Sequence, residues 1–381
     1  MRLCAALAAA LLFLSGCGAL LRSQGRARRG ATLEDAPLRF TFFDLGQADA
    51  LLVQYRGRTL LVDAGESRHA PDAPRYRRVA AHLEKLTGRR HVDHFVATHY
   101  HRDHVGFDGP DGRSGLFALL ADEGLTVGTL WDRGSDTVGE KGAVQRAWER
   151  ALPGWLSSGR VKEHRVAAVG DSLELGEGLR VQVVAVNGNG RFAHPDEQLL
   201  TWPPSENDSL VALAFTLGDF ELFAGGDLTG ETVQRTFGLH REGYHDVETS
   251  TAPRVGDVEV YRANHHGSSH SSNPCLVSTL RPEVSIISSG ENSYGHPAPE
   301  VVGALRRHGL VFITSGADPR VRAEVADEIV GGDVVIDVDA EGHRYVVNGW
   351  PFHAKSDSEE AAAAAANSCT ADDWRGQRAA P

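Results

Sequence analysis

Thr98-His99-Tyr100-His101-Arg102-Asp103-His104 is the most informative segment of this chain. It places three imidazoles and one carboxylate within six positions, directly after the apolar run Phe95-Val96-Ala97. Imidazole nitrogens and carboxylate oxygens are the ligands that a catalytic divalent cation needs, zinc above all. The i, i+2 spacing puts His99 and His101 on one face of a strand, and a turn returns Asp103 and His104 to them. One short loop can therefore supply the ligands of two adjacent metal positions. The alternative interpretation of the same residues is a histidine-rich surface loop that binds no metal.

Further ligand candidates stand at the ends of later apolar strands. Asp227 follows such a strand and the pair Gly225-Gly226, where the backbone can turn closely and a carboxylate can bridge two cations. The alternative for Asp227 is a turn residue that caps a helix beginning at Gly230. His265 and His266 come at another strand end, so the candidate ligands lie in three segments of the chain.

These residues resemble the signature loop of the metallo-β-lactamase superfamily of hydrolases. Other segments narrow the resemblance to the ComEC-like branch, the hydrolase domain found in DNA-uptake competence proteins and in stand-alone relatives. They appear in the family's order between Leu38 and Gly349, and they are Phe42-Phe43-Asp44-Leu45-Gly46-Gln47-Ala48-Asp49-Ala50, Leu60-Leu61-Val62-Asp63-Ala64-Gly65, Asn207-Asp208-Ser209-Leu210-Val211, Phe223-Ala224-Gly225-Gly226-Asp227, Ala263-Asn264-His265-His266-Gly267-Ser268 and Tyr294-Gly295-His296-Pro297. The resemblance is specific for the fold and the metal site and much less specific for the substrate.

The resemblance implies an α/β fold, a four-layer αββα sandwich, whose centre holds one or two zinc ions, with manganese as an alternative. It implies that one metal is bound by the first two histidines of the loop, and the other by its aspartate and last histidine. The implied metal ligands are His99, His101, Asp103, His104, Asp227 and His266. Asp103 and Asp227 are also the implied catalytic residues, because they would hold and orient the attacking water.

Five residues are assigned around this centre. Asp63, at a strand end, is typical of a carboxylate that orients a metal-bound histidine. Wider family members supply a third histidine to the first metal, whereas Asn207-Asp208-Ser209 occupies the matching place here, so Asp208 or water would complete that site. His265 would point away or orient a neighbour. Ser268 and His296 are assigned to the substrate side, with a purely structural role as the alternative for His296.

Hydrophobic periodicity predicts elements that suit this fold. The predicted strands are 38–44, 50–55, 59–62, 94–98, 161–169, 172–175, 179–186, 210–216, 220–224, 258–263, 284–288, 311–314, 334–338 and 345–347, and the predicted helices are 76–86, 115–123, 142–152 and 299–307. Two β-rich halves with intervening helices suit a four-layer sandwich. We expect the hydrolase domain at 38–350, between a tether at 18–37 and a low-complexity tail at 351–381.

Residues 1–17 have the form of a lipoprotein signal peptide. Arg2 precedes a short apolar stretch, 3–14, which is too short to span a membrane, and Leu14-Ser15-Gly16-Cys17 resembles a lipoprotein cleavage site. We expect lipidation of Cys17, which would hold the exported protein at the outer membrane or the cell surface. The alternative is an ordinary secretory signal and a secreted protein.

The chain of 381 residues carries a formal net charge of −12. A protein that grips nucleic acid mainly through phosphates would show a basic surface, so the charge disfavours that class. Arg75, Arg77 and Arg78 form either a local basic cluster or a solvated helix face. Cys275 and Cys369 would remain after export, and they either pair or stay as thiols.

The favoured function is hydrolysis by a metal-activated water, with a phosphodiester, DNA among them, as the substrate. The first alternative is an envelope hydrolase of a small ester, lactone or amide. The second alternative is a lipoprotein that binds without catalysis, and the intact ligand set argues against it.

Overall fold

Two β-sheets packed face to face form the centre of this protein. A computed structural model describes residues 31–33, 36–67, 75–110, 112–135, 141–190, 204–230, 234–237, 240–243 and 245–356. In chain order the strands are β1 (Leu38–Phe42), β2 (Leu51–Tyr55), β3 (Arg58–Val62), β4 (His91–Val96), β5 (Gly106–Gly109), β6 (Gly112–Ser114), β7 (Thr126–Asp132), β8 (Val161–Val166), β9 (Arg180–Val186), β10 (Val211–Leu217), β11 (Phe220–Ala224), β12 (Gln234–Phe237), β13 (His240–Gly243), β14 (Val260–Arg262), β15 (Val284–Ile287), β16 (Leu310–Ile313), β17 (Val334–Val338), β18 (Arg344–Val347) and β19 (Trp350–His353). Within the described residues the larger sheet has the strand order β19-β18-β17-β1-β2-β3-β4-β7-β8, and the smaller has the order β16-β15-β14-β11-β10-β9.

Helices cover the outer face of each sheet. They are α1 (Arg77–Thr87), α2 (Arg102–Val105), α3 (Gly115–Ala121), α4 (Ala143–Ser157), α5 (Glu248–Val255), α6 (Pro274–Leu280) and α7 (Pro299–Arg306). Leu83 of α1 and Trp148 of α4 belong to the apolar cluster on the larger sheet, and Leu276 of α6 belongs to the cluster on the smaller sheet. A third cluster lies between the sheets, where the rings of Phe40 and Phe215 meet edge to face at 5.4 Å. The four layers are therefore helix, sheet, sheet and helix, as the resemblance implies.

The site is built where parallel strands end. β3 pairs in parallel with β4, and β11 pairs in parallel with β14. Because the carboxyl ends of parallel strands meet at one edge of a sheet, the loops that follow these four strands converge there. The N–H of Val211 in the smaller sheet donates at 2.8 Å to the carbonyl of Thr98, which lies just after β4 of the larger sheet, and this bond joins the two sheets at that edge.

Most predicted elements are present with small shifts at their ends. The strand predicted at 172–175 is wrong, because this segment forms a single bridge between Ser172 and Gln182. Leu173 and Leu175 are nevertheless buried, which shows that alternating apolar residues report burial rather than strand pairing. The elements without a counterpart in the sequence-based prediction are β5, β6, β7, β12, β13, β19, α2, α5 and α6; α6 is only seven residues long and starts with a proline.

The ends of the chain lie outside the described residues, including Cys17 and Cys369. Cys275 is disulfide-bonded. β19 extends to His353, so the larger sheet continues past residue 350, where the sequence analysis ends the domain. Among the described residues, no helix has both the length and the apolar character needed to cross a membrane.

Candidate metal centre

The histidine-rich loop after β4 is hydrogen-bonded to the loop after β3 and to the β1–β2 connection. The N–H of Ala64 donates to the carbonyl of His104 at 2.8 Å, and the N–H of Asp49 donates to the carbonyl of Asp103 at 2.9 Å. Gly65 passes so close that a Cβ there would collide with the backbone of Asp103. Only a residue without a side chain permits this approach, so the Asp63-Ala64-Gly65 segment shapes the loop that carries the ligands.

Two groups of candidate ligand atoms meet at Asp227. The first is Asp49, His104, Asp227 and His266, and the second is His99, His101 and Asp227; in each group the atoms lie within 4.8 Å of one another. Asp227 Oδ1 lies 3.1 Å from His104 Nε2 and 3.8 Å from His266 Nε2. Asp227 Oδ2 lies 3.8 Å from His99 Nε2. The two oxygens of one carboxylate therefore face two separate sets of imidazoles.

The buried polar atoms of the first group fit a divalent cation. His104 Nε2, His266 Nε2 and Asp227 Oδ1 are buried, and none makes a hydrogen bond of acceptable geometry. Buried polar atoms without partners are costly and rare in folded proteins. Three of them around one point would be satisfied together by a metal ion, and nitrogen and carboxylate donors suit zinc.

Outer contacts turn two imidazoles toward this point. His104 Nδ1 lies 2.8 Å from Asp63 Oδ2, and His266 Nδ1 donates to the carbonyl of Ser288 at 2.7 Å. Each contact leaves Nε2 directed at Asp227. A carboxylate or carbonyl on the far nitrogen commonly fixes the ring orientation of a metal-binding histidine.

The pKa values of the imidazoles differ with their neighbours. Burial lowers the pKa of His265 to about 4 and lowers that of His99 well below its usual value. Both rings are therefore neutral at pH 7, which is the form that binds metal. For His104, burial acts to lower the pKa, but the carboxylates of Asp227 and Asp63 outweigh that effect and raise the pKa well above the usual value.

The predicted ligand Asp103 lies at the rim of the first group. Its Oδ2 is 3.5 Å from His266 Nε2, and its side chain keeps a relative exposure of 32%. Burial acts to raise the pKa of Asp103, but contacts with His266 and His104 lower it below the usual range. Asp103 is thus ionised and faces both the centre and the solvent.

His265 does not point away from the centre. Its Nε2 lies 3.8 Å from Asp227 Oδ2 and 3.1 Å from Asn207 Nδ2. It therefore lies on the same side of Asp227 as His99. The structure does not bring Asp208 into either group, because its carboxylate accepts hydrogen bonds from Ser205, Thr229 and the backbone of His245.

Ser268 and His296, the two residues assigned to the substrate side, differ in their contacts. The Ser268 hydroxyl accepts the N–H of His270 at 3.2 Å and is buried, so it is used within the loop. The ring centroid of His296 lies 5.3 Å from that of His265 and 6.3 Å from that of His266. His296 is thus the substrate-side candidate that the structure brings to the centre.

The turn that carries His265 and His266 is strained and firmly held. Both residues have positive φ, 49° and 52°, a conformation that costs a β-carbon-bearing residue about 1–3 kcal/mol. Glu248, fully buried on α5, accepts a hydrogen bond from Asn264 Nδ2 and another from the N–H of Ser272, each at 2.7 Å. These hydrogen bonds hold the chain before and after the two histidines and so stabilise the turn.

Two residues of the centre were missed by the sequence analysis. Asp49 belongs to the first group, although the sequence analysis quoted it only as part of a hairpin. Arg262 is buried at the end of β14 and contacts both Asp49 and the carbonyl of Gly226. Burial lowers the pKa of Arg262 to about 9. A charged residue within the otherwise apolar strand Val260–Arg262 was the available signal.

Comparisons with known proteins agree with this geometry. Residues 43–108 match the model of the metallo-beta-lactamase superfamily. ComE operon protein 3 of Bacillus subtilis (strain 168) is 25% identical over an alignment of 281 residues that covers 70% of this chain and 30% of that protein. The chain therefore spans less than a third of the length of that relative.

Similar solved structures include the metallo-beta-lactamase fold protein YhfI from Bacillus subtilis, 12% identical with a TM-score of 0.41, covering 72% of this chain and 96% of YhfI. Zn(2+)-bound PqqB from Methylobacterium extorquens is 14% identical with a TM-score of 0.41, covering 71% of this chain and 86% of PqqB. The matched histidine loop and the curated relative lead to one conclusion: the chain is similar to metallo-hydrolases of the metallo-beta-lactamase superfamily.

Proposed function

We propose that this metallo-hydrolase cleaves phosphodiesters with a metal-activated water. The observation that carries the proposal is the position of Asp227, whose two oxygens face separate sets of imidazoles. Such a carboxylate suits a pair of divalent ions, which would lower the pKa of a water molecule toward neutrality and clamp a phosphodiester between them.

The residues of the centre would hold two ions and orient the attacking water. His99 and His101, with His265 close by, would hold one ion, and the group of Asp49, His104 and His266 would hold the other. Asp227 would be shared. Asp103, ionised at the solvent side of the centre, is positioned to accept a hydrogen bond from the attacking water and so to orient it.

The preference for phosphodiesters rests on the resemblance to the ComEC-like branch and on the match to ComE operon protein 3. DNA is the macromolecular candidate, but its recognition would have to be local. The net charge of −12 repels a polyanion at long range, and salt screens that repulsion.

The three arginines that form either a basic cluster or a solvated helix face by sequence are neutralised in the fold. Arg75 pairs with Asp44, Arg77 pairs with Glu123, and Arg78 pairs with Asp333. Through these ion pairs the three arginines take part in the packing around α1. Their charges are therefore not available as a phosphate-binding surface. The ion pairs favour, as a second candidate function, hydrolysis of a small ester, lactone or amide that needs no cationic surface.

Metal analysis and a substrate panel test the proposal. The purified full chain, loaded with zinc or manganese, is assayed on single-stranded DNA, a bis-aryl phosphodiester, a lactone and a cephalosporin. We expect about one to two ions per chain and faster hydrolysis of the two phosphodiesters. Lactone hydrolysis with no activity on either phosphodiester would replace the proposal by the second candidate.

Matched variants connect the activity to the centre. Asp227→Asn should lower both the metal content and the turnover, because it removes the shared charge. Asp219→Asn removes a carboxylate in the turn between β10 and β11, where it pairs with His343, and should change neither. Equal behaviour of the two variants would show that the centre is assigned wrongly.

We also propose that the protein is exported and lipidated at Cys17, on the basis of Leu14-Ser15-Gly16-Cys17. Mass spectrometry of the mature N-terminus measures this directly, and a diacylated Cys17 in the membrane fraction is the expected result. An unmodified N-terminus at another residue, with the protein in the soluble fraction, would rule the anchor out.

A further inference from the structure

Tyr294 is a large aromatic side chain that stays exposed beside the metal centre. Its relative exposure is 57%, against 9% for His296 and 1% for His266. The ring centroids of Tyr294 and His296 are 5.7 Å apart, and those of His296 and His266 are 6.3 Å apart. Three rings therefore lead from a buried candidate ligand to the protein surface.

The loop that carries Tyr294 is held in one conformation. Asn292 Oδ1 accepts the N–H of Tyr294 at 2.9 Å and that of His296 at 3.2 Å, and Asn292 Nδ2 donates to the carbonyl of His296 at 2.8 Å. Asp318 accepts the N–H of Gly295 at 2.8 Å. A ring presented by such a loop binds a ligand with little loss of conformational freedom.

The chemistry around Tyr294 favours stacking over charge. Arg320 donates to the carbonyl of Ser293, but its guanidinium is paired with Asp318. The exposed face of a tyrosine can still bind a nucleobase, since stacking on an aromatic side chain works for every base and needs no cation.

We propose that Tyr294 is a stacking platform for a nucleobase attached to the scissile phosphodiester. The substrate class is then the nucleotidyl phosphodiesters, single-stranded nucleic acid or short pieces of it. This inference rests on the proposed phosphodiesterase function and adds a subsite to it. Stacking also explains how a chain with a net charge of −12 holds a polyanion.

The kinetic test compares a single-stranded oligodeoxynucleotide with an abasic oligomer of the same length and phosphate count. Tyr294→Ala should raise KM for the base-containing oligomer about tenfold with little change in kcat, a factor within the range for one lost stack. It should leave the abasic oligomer unaffected. Tyr294→Phe should behave like the wild type, and Val166→Ala, which truncates another exposed apolar side chain, should have no effect.

A binding test separates this inference from the proposed function. Fluorescence anisotropy measures the affinity of the chelator-treated full chain for both oligomers, made with phosphorothioate linkages, so no turnover is needed. We expect about tenfold weaker binding of the base-containing oligomer by Tyr294→Ala and no change for the abasic one. Equal affinity of the wild type for both oligomers, or an unchanged affinity in Tyr294→Ala, would overturn the platform. A wild type that binds bases through Tyr294 but hydrolyses neither oligomer would instead contradict the phosphodiesterase proposal.

Discussion

Asp63 Oδ2 lies 2.8 Å from His104 Nδ1, and both side chains are buried. Asp63 is held in turn by the N–H of Thr98 at 2.8 Å and by its hydroxyl at 2.7 Å. The carboxylate thereby joins the end of β3 to the first residue of the histidine-rich segment. It sets the ring of His104 before any metal binds.

Asp63→Asn should weaken metal binding by about 10- to 100-fold, the usual effect of removing a residue that orients a ligand. The amide keeps the volume but loses the charge that holds Nδ1–H of His104. Competition with a fluorescent zinc chelator measures the affinity. Asp93→Asn, a half-buried carboxylate that accepts bonds from Arg58 and Thr59, is the control and should bind zinc like the wild type. An unchanged zinc affinity in Asp63→Asn would contradict the orienting role.

Arg262→Met should destabilise the metal-free protein by about 3–5 kcal/mol, because it leaves Asp49 buried without its cation. The double variant Asp49→Asn, Arg262→Met should recover part of that loss. Urea unfolding in the presence of a chelator measures both. Arg39→Met, which breaks a pair with Asp337 that is half exposed on the arginine side, should cost less than about 1 kcal/mol. Additive losses in the double variant would mean that the two side chains do not act as a pair.

Glu248→Gln should cost about 1–3 kcal/mol of stability and also lower the zinc affinity. The glutamate accepts bonds from three donors, so an amide group in its place must turn one of its own donors toward another donor. The His265-His266 turn should loosen as a result. Glu259→Gln alters another buried glutamate that accepts two backbone bonds, and should lower stability alone. A loss of stability with unchanged zinc affinity would show that Glu248 does not position the turn.

His164 should stabilise the fold in a pH-dependent way. Its close contact with the Asp132 carboxylate, Nε2 to Oδ2 at 3.0 Å, raises its pKa, so the stabilisation is complete below about pH 6.5 and is lost as the pH rises through the pKa in the folded state. Because the ring is partly exposed, we expect less than about 1 kcal/mol. Urea unfolding of wild type and His164→Gln at pH 5.5 and pH 9 measures the difference. His91→Gln should show the opposite trend, because burial lowers the pKa of His91; the same trend in both variants would contradict the assignment.

The histidine-rich segment and the apolar strand before it predicted a metal site at the end of a strand. Imidazoles and carboxylates are common metal ligands, and strand ends are where parallel sheets expose such residues. The fold class and its four layers were implied by the resemblance of this segment and the remaining motifs to the metallo-β-lactamase superfamily. The motifs themselves consist of residue types at local spacings, which are properties of the chain alone.

The composition of each ligand group depended on contacts between residues far apart in the chain. Asp49, in the β1–β2 connection, joins His104 and His266 because its backbone is hydrogen-bonded to Asp103 and Gly65, which lie far from it in the chain. Asp208 is adjacent to Asn207, yet its carboxylate turns inward to Thr229 while Asn207 reaches His265. Adjacent residues on a turn face different directions, and sequence spacing does not say which one faces the centre.

The charge state of the surface was likewise decided by packing. In the sequence Arg75, Arg77 and Arg78 read as a basic cluster, but each meets a carboxylate brought by a distant segment. Tyr294, in contrast, belongs to a motif already visible in the sequence, but its exposure and the position of its ring against that of His296 follow from the fold. Local sequence patterns specify which groups are present and which segments are buried. Pairing of charges and alignment of rings arise from long-range contacts, whose partners no local pattern encodes.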